Sequence, residues 1–178
     1  LILKRTVTRP RLFGIPDGAF CLLNGRARMI TKRPVRLVTL SMLELREHTS
    51  FWDIGFCTGS VSIEAKLQFP HLQITAFEQR AEGEALMEQN SRRFGTPGIT
   101  TVIGDFMEAD ITSLPRPDAV FIGGHGGRLI EMLEKIQPLL LPGGVIVFNS
   151  VSEESERLFR EGVQRIGKEV AENIRIQV

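Results

Sequence analysis

The sequence predicts an α/β fold, a mostly parallel twisted sheet with helices on both faces. Three observations carry that reading. Between residues 51 and 166, short apolar runs alternate with stretches of helical apolar spacing, the pattern of successive strand–helix units. The apolar run 51–54 passes through a turn with glycines at 55 and 59 into Ser60-Val61-Ser62-Ile63-Glu64-Ala65-Lys66-Leu67, which is spaced as a helix. Strand, glycine turn, helix is how an open sheet builds a binding site at its carboxyl edge. The later strands end in acids, glycines or an amide, which would gather at that same edge.

Residues 1–30 hold Pro10, Gly14, Pro16, Gly18 and Gly25 and read as an irregular arm, with 31–178 as the folded domain. The stretch 11–20 carries large apolar groups, so it should pack on the body. Thr31 is placed as the N-cap of the first helix, with Pro34 in its first turn and Val35, Val38, Met42, Leu43 and Leu45 following. This helix precedes the first strand, 51–54, and is positioned to close over the carboxyl edge. Residues 73–77 form the second strand, which ends in Glu78. That acid lies 19 residues past Gly59, where a carboxylate can take both hydroxyls of a ribose. The helix Glu82–Phe94 turns Leu86 and Met87 inward. Ile99–Ile103 is the third strand, followed by Gly104-Asp105-Phe106; Asp105 is either a ligand-binding acid or the cap of a following turn.

The fourth strand, 118–122, ends in Gly123-Gly124-His125-Gly126-Gly127. Four glycines let a loop backbone come close to a ligand. His125 is the titratable group of that loop, either solvated or used in proton transfer, for which its pKa range is suited. Helix Leu129–Ile136 leads to the turn Leu141-Pro142-Gly143-Gly144 and the fifth strand, Val145–Phe148, with Asn149 at its end. A helix over 153–166 faces Leu158, Phe159, Val163 and Ile166 inward. Residues 170–178 are expected as a sixth strand.

The glycine turn excludes two ligand classes. A P-loop needs Gly-Lys-Ser/Thr, and no Lys or Arg lies between Trp52 and Ala65. A dinucleotide turn needs G-x-G-x-x-G, and from Gly55 those places hold Cys57 and Ser60. What remains is Asp53-x-Gly55-x-Cys57-x-Gly59, with an acid at the strand end. It resembles motif I of the S-adenosylmethionine (SAM) methyltransferases, usually Asp/Glu-x-Gly-x-Gly-x-Gly. SAM carries a sulfonium and an amino-acid tail instead of phosphate, so the turn needs close backbone and a nearby acid. Cys57 stands where that motif usually has glycine. A left-handed backbone there would cost a cysteine roughly 1–2 kcal/mol.

The 178 residues suffice for one domain, and 42% hydrophobic content makes the chain globular. No apolar run approaches the ~18 residues of a membrane span, and no secretory signal pattern is present. Two cysteines, 21 and 57, make no disulfide framework and point to a reducing cytoplasm. The net charge of +1 is unevenly spread. Residues 1–36 hold nine Lys/Arg against the single acid Asp17. A basic arm on an acidic body suits a polyanionic partner, unless it is merely a solvated leader. No metal-ligand cluster and no catalytic triad is apparent.

Further features coincide: Gly14-Ile15-Pro16-Asp17 with Phe20, Met29-Ile30-Thr31-Lys32-Arg33, Trp52-Asp53-Ile54-Gly55 with Gly59-Ser60-Val61-Ser62-Ile63-Glu64-Ala65, and Phe121-Ile122-Gly123-Gly124-x-Gly126-Gly127. Together they resemble the decarboxylating precorrin-6Y methyltransferases of cobalamin biosynthesis, of the CbiT type or the C-terminal domain of fused CobL enzymes. The resemblance covers nearly the whole chain. It implies a Rossmann-like class I methyltransferase fold, whose seventh, antiparallel strand is not found in the sequence. It implies SAM as cofactor, held by Thr31, Asp53, Gly55, Phe56, Cys57, Thr58, Gly59, Glu78, Asp105 and Phe106. The acceptor, a precorrin or cobalt-precorrin methylated at carbon 15 with loss of the adjacent acetate carboxylate, is expected on Gly123, Gly124, His125, Gly126 and Asn149. It also implies a homo-oligomer, a tetramer in the family, and a possible second methyltransferase domain, fused or paired. His125 departs from the small residue usual in the family. Two other readings stand beside this one: an RNA methyltransferase, disfavoured by the absence of Tyr and of an Asp/Asn-Pro-Pro-Tyr/Phe signature, and a binding module of the same fold without activity.

Overall fold

The computed structural model describes residues 13–26 and 29–177. Helix α1 (Arg33–Met42) precedes β1 (Ser50–Ile54), α2 (Ser60–Gln68), β2 (Gln73–Glu78), α3 (Glu82–Phe94) and β3 (Ile99–Ile103). Then come β4 (Ala119–Ile122), α4 (Leu129–Ile136), β5 (Val145–Phe148) and α5 (Glu153–Arg165). The sheet is parallel throughout, in the order β3-β2-β1-β4-β5. The predicted elements from β1 to α5 form, each within one residue of its expected ends.

The central strands are apolar on both faces because helices cover both. Alternation along β1 and β4 sends Trp52, Ile54, Val120 and Ile122 to one face, against Leu133 and Ile136 of α4 and Val163 of α5. Phe51, Ala119 and Phe121 go to the other, against Leu40 of α1 and Val61 and Ala65 of α2. A third cluster joins the arm to that side: Ile15, Phe20 and Ile30 pack with Phe56, Ile63, Met87 and Phe94. The arm does pack on the body, as its apolar content implies, although Phe13 stays 45% exposed. Arm positions Lys4, Arg5, Arg9, Arg11, Leu12 and Arg28 lie outside the described residues.

Two expectations are corrected. Helix α1 is capped by Lys32, not Thr31, and no side chain caps it. Pro34 sits in the first turn as expected, and the Thr31 carbonyl is drawn aside by Arg36 Nη1 at 2.6 Å. The sixth strand does not form: residues 168–177 have no strand pairing and are mostly exposed. Ile174 and Ile176 alternate as in a strand, but a strand exists only with a neighbour to bond, and none lies beside this segment among the described residues.

Candidate cofactor and acceptor site

Connections run from β1 outward through β2 to β3, and from β4 outward to β5. The order therefore reverses between β1 and β4, and open α/β sheets bind ligands at the carboxyl end of that reversal. The two glycine loops meet there. Gly55 has φ +79°, and a Cβ on it would lie 2.8 Å from the Gly124 backbone nitrogen, so only glycine fits. Gly59, at φ +71°, lies where a Cβ would strike the Met87 side chain, and it caps α2.

Asp53 alternates with Trp52 and so faces α2. It is fully buried, and its Oδ2 accepts from the Ser62 N–H at 3.1 Å and the Ser62 hydroxyl at 2.5 Å, at the positive end of α2. Burial pushes its carboxyl up to about 7, against the lowering effect of the two Ser62 hydrogen bonds and with a smaller upward contribution from Glu78. Its Oδ1 has no partner.

Glu78, at the end of β2, is also buried. Its Oε2 accepts the Cys57 N–H at 3.0 Å, and its Oε1 accepts the Arg80 N–H and Nη1 at 3.0 and 2.9 Å. Gly83 at the start of α3 makes room for it, since a Cβ would lie 2.6 Å from Glu78 Cγ. Within the turn, Phe56 is a core residue. Cys57 takes φ +50° and aims its thiol at the Met29 carbonyl, 2.8 Å away, and Ile30 packs in one cluster with Phe56, whereas the Thr31 carbonyl is bonded to Arg36. Burial first, then Glu78, pushes that thiol up to about 11. The buried Thr58 hydroxyl has no partner.

The loop after β3 is held in place from both of its ends. Asp105 does cap the following turn, Oδ1 accepting the Met107 N–H at 2.9 Å, while Oδ2 meets Arg128 Nη1 at 3.2 Å. Phe106 turns its ring into the core, edge-on to Phe77 at 5.0 Å. Lys135 of α4 pins the loop by donating to the carbonyls of Phe106, Met107 and Ala109 at 2.8, 2.9 and 3.2 Å. In the loop after β4, Gly123, Gly124, Gly126 and Gly127 are exposed. His125 Nδ1 accepts the Gly127 N–H at 3.2 Å, so the neutral ring carries its proton on Nε2, and the ring lies edge-on to Phe148 at 5.8 Å. The Asn149 amide is bonded to Thr39 of α1 at 3.0 Å, fastening α1 across the end of β5.

The expected residues thus gather along one edge, around the β1–β4 reversal. Sequence reasoning missed Asn90, whose Nδ2 holds the Thr58 carbonyl at 3.0 Å, and also Gly83 and Lys135. Nothing local marks them: polar residues or a glycine on a helix look solvated until the fold brings the loop to them. A remaining lone pair on Glu78 Oε2 and a glycine cradle suit a ligand that brings hydrogen-bond donors, and SAM is such a ligand. The partnerless Asp53 and Thr58 oxygens are instead closed off in the core.

Comparison with known proteins agrees with the fold. The family model described as "Precorrin methyltransferase domain" matches residues 25–178. The "Cobalt-precorrin-6B C(15)-methyltransferase (decarboxylating)" of Salmonella typhimurium is 41% identical over 133 residues, 75% of this chain and 68% of that one. The "Precorrin-6Y C(5,15)-methyltransferase [decarboxylating]" of a Sinorhizobium species is 40% identical over 138 residues, 78% of this chain but 33% of that longer protein. Among solved structures, the precorrin-6Y C5,15-methyltransferase of Geobacter metallireducens superposes with TM-score 0.81 at 35% identity, covering 89% of this chain and 82% of that one.

Proposed function

Because the chain belongs to the precorrin methyltransferase domain family, we propose that it transfers a methyl group from SAM to carbon 15 of a precorrin, with or without cobalt, and removes carbon dioxide from the neighbouring acetate. The observation that carries the reading is the meeting of Gly55 and Gly124 over the carboxyl end of β1, with buried Glu78 beside them.

When bound, SAM supplies a methyl group made electrophilic by its sulfonium. Glu78 would accept a ribose hydroxyl through the remaining lone pair of Oε2. Asp105 would accept from the adenine amino group, and the backbone at Phe106 would line the ring. Gly55 through Gly59 present close backbone to the amino-acid tail, with Asp53 holding the turn to α2. The loop 123–127 and Asn149 then face the acceptor. Its electron-rich ring carbon needs no strong side-chain base, and placing it in line with the methyl is worth up to ~7–11 kcal/mol. The conjugated macrocycle takes the electron pair left by carbon dioxide, and the former acetate gains a proton to become a methyl group. That proton comes from solvent. His125 is within the loop, where the Nε2–H of its neutral ring can donate a hydrogen bond to a carboxylate of the acceptor.

The same reading places the enzyme in the cytoplasm, consistent with its two free cysteines, as a homo-oligomer. No helix among the described residues is long and apolar enough to cross a membrane. Incubation with precorrin-6Y or cobalt-precorrin-6B and SAM should release carbon dioxide and transfer methyl in equal amounts. A protein that binds SAM and releases none refutes the reading.

A further inference from the structure

Apart from Thr31 and Met29, the arm residues that carry the family resemblance, with Glu64 inside α2, have no part in the chemistry described so far. The structure brings them to one point. Arg36 of α1 is fully buried, and its guanidinium lies at that centre. Its Nε donates to Glu64 Oε2 at 2.6 Å, its Nη1 to Asp17 Oδ1 at 3.1 Å and to the Thr31 carbonyl at 2.6 Å, and its Nη2 to the Ile15 carbonyl. Glu64 Oε1 accepts the N–H groups of Gly14 and, at 3.1 Å, Ile15. The guanidinium also lies 5.2 Å from the centre of the Phe20 ring.

Apart from each other, the side-chain hydrogen-bond partners of this buried pair among the described residues all belong to residues 14–31. An ion pair of this kind is weak evidence for global stability, because well-packed apolar residues often serve as well. Its partners show instead what it holds: the arm. A second set of contacts carries the arm onto the glycine turn. Asn90 Nδ2 donates to the Cys21 and Thr58 carbonyls, both at 3.0 Å, while its Oδ1 accepts the Cys21 N–H at 2.8 Å. The Cys57 thiol meets Met29, and Phe56 packs with Ile15, Phe20 and Ile30.

We infer that residues 13–26 and 29–31 form a strap that shapes the cofactor pocket, and that Arg36, Glu64 and Asn90 are positioning residues. They set the affinity for the methyl donor without touching it, by holding the strap against turn residues 56–58. The inference rests on the cofactor reading above.

The test measures SAM affinity by calorimetry and backbone amide exchange, on the full chain. Glu64→Ala should weaken SAM binding at least tenfold and speed exchange at Gly14, Ile15 and Cys21, while the β1 amides stay protected. Glu64→Gln keeps one acceptor oxygen, enough for the Gly14 and Ile15 N–H groups, but turns an NH2 towards Arg36 Nε, so it should recover only part of the affinity. Ile136→Ala, on the opposite face of the sheet, controls for general destabilisation and should leave affinity within twofold. Unchanged affinity in Glu64→Ala, or equal weakening in Glu64→Ala and Ile136→Ala, overturns the inference. If Glu64→Ala does not fold, the part-exposed Asp17→Asn decides: affinity should fall about threefold with faster strap exchange, and no fall overturns the strap. Wild-type protein that does not bind SAM at all sinks the cofactor reading, whereas wild-type binding with indifferent variants sinks the strap alone.

Discussion

Cys57 holds a left-handed backbone at φ +50°, a conformation that costs an L-residue roughly 1–2 kcal/mol. Glycine removes that cost and adds about 0.5–1 kcal/mol of chain entropy. The thiol's hydrogen bond to Met29 is weak, so Cys57→Gly should leave stability equal or raised by up to about 1 kcal/mol, read as the urea midpoint. A clear drop would mean the thiol holds more than its geometry indicates. Asp53 gives a pH signature. Its folded carboxyl titrates near 7, against 3.8 ordinarily, chiefly because it is buried. Between those values the folded state keeps a proton that the unfolded chain has lost. Stability from this group is therefore full below about pH 4 and lost as pH rises to about 7, by on the order of 4 kcal/mol. Asp53→Asn keeps an acceptor for Ser62 and removes the titration. Its unfolding free energy should fall less than the wild type's between pH 4.5 and 7. Parallel curves would show that Asp53 does not hold the proton.

At the scale of elements, α3 shows how a helix serves a strand end. Gly83→Ala in a helix ordinarily stabilises by up to ~1 kcal/mol. Here the new Cβ would press on Glu78 Cγ at 2.6 Å and on the Phe56 ring at 3.2 Å. The expected outcome is the reverse: lower thermal stability, and SAM binding weakened several-fold as Glu78 shifts. Stabilisation with full affinity would show that the helix simply moves aside. The ends of α3, α4, β3 and β5 were legible because apolar period and glycine or proline punctuation are local signals. Thr31 as cap and the sixth strand were not, since one depends on where Arg36 pulls a carbonyl and the other on a partner strand. In the site, Gly55, Gly59, Glu78 and Gly123–Gly124 could be read from motif spacing. Asn90, Gly83 and the Arg36–Glu64 pair could not, because their roles exist only once α1, α2 and α3 are folded against the arm.

For the molecule as a whole, the charge pattern that first suggested a polyanionic partner needs sorting by burial. Arg36 is spent inside the protein, whereas Arg26 and Arg33 are exposed on the described part of the arm and its junction with α1. Arg80 and Arg128 stand at the carboxyl edge, each paired with an acid there, Glu78 and Asp105. A precorrin brings many carboxylates, so exposed arginines on this side should draw it in over distances up to roughly 10 Å at 0.1 M salt. On the proposed reading, SAM binding through backbone and single carboxylates at short range should depend far less on salt. Raising salt from 50 to 300 mM should therefore raise the KM for the precorrin several-fold while SAM affinity changes little. Arg26→Gln with Arg33→Gln should raise that KM at low salt and flatten its salt dependence, with kcat and SAM affinity kept. If the double variant shows the wild-type salt slope, steering comes from elsewhere on the surface and the arm's charge is only solvated.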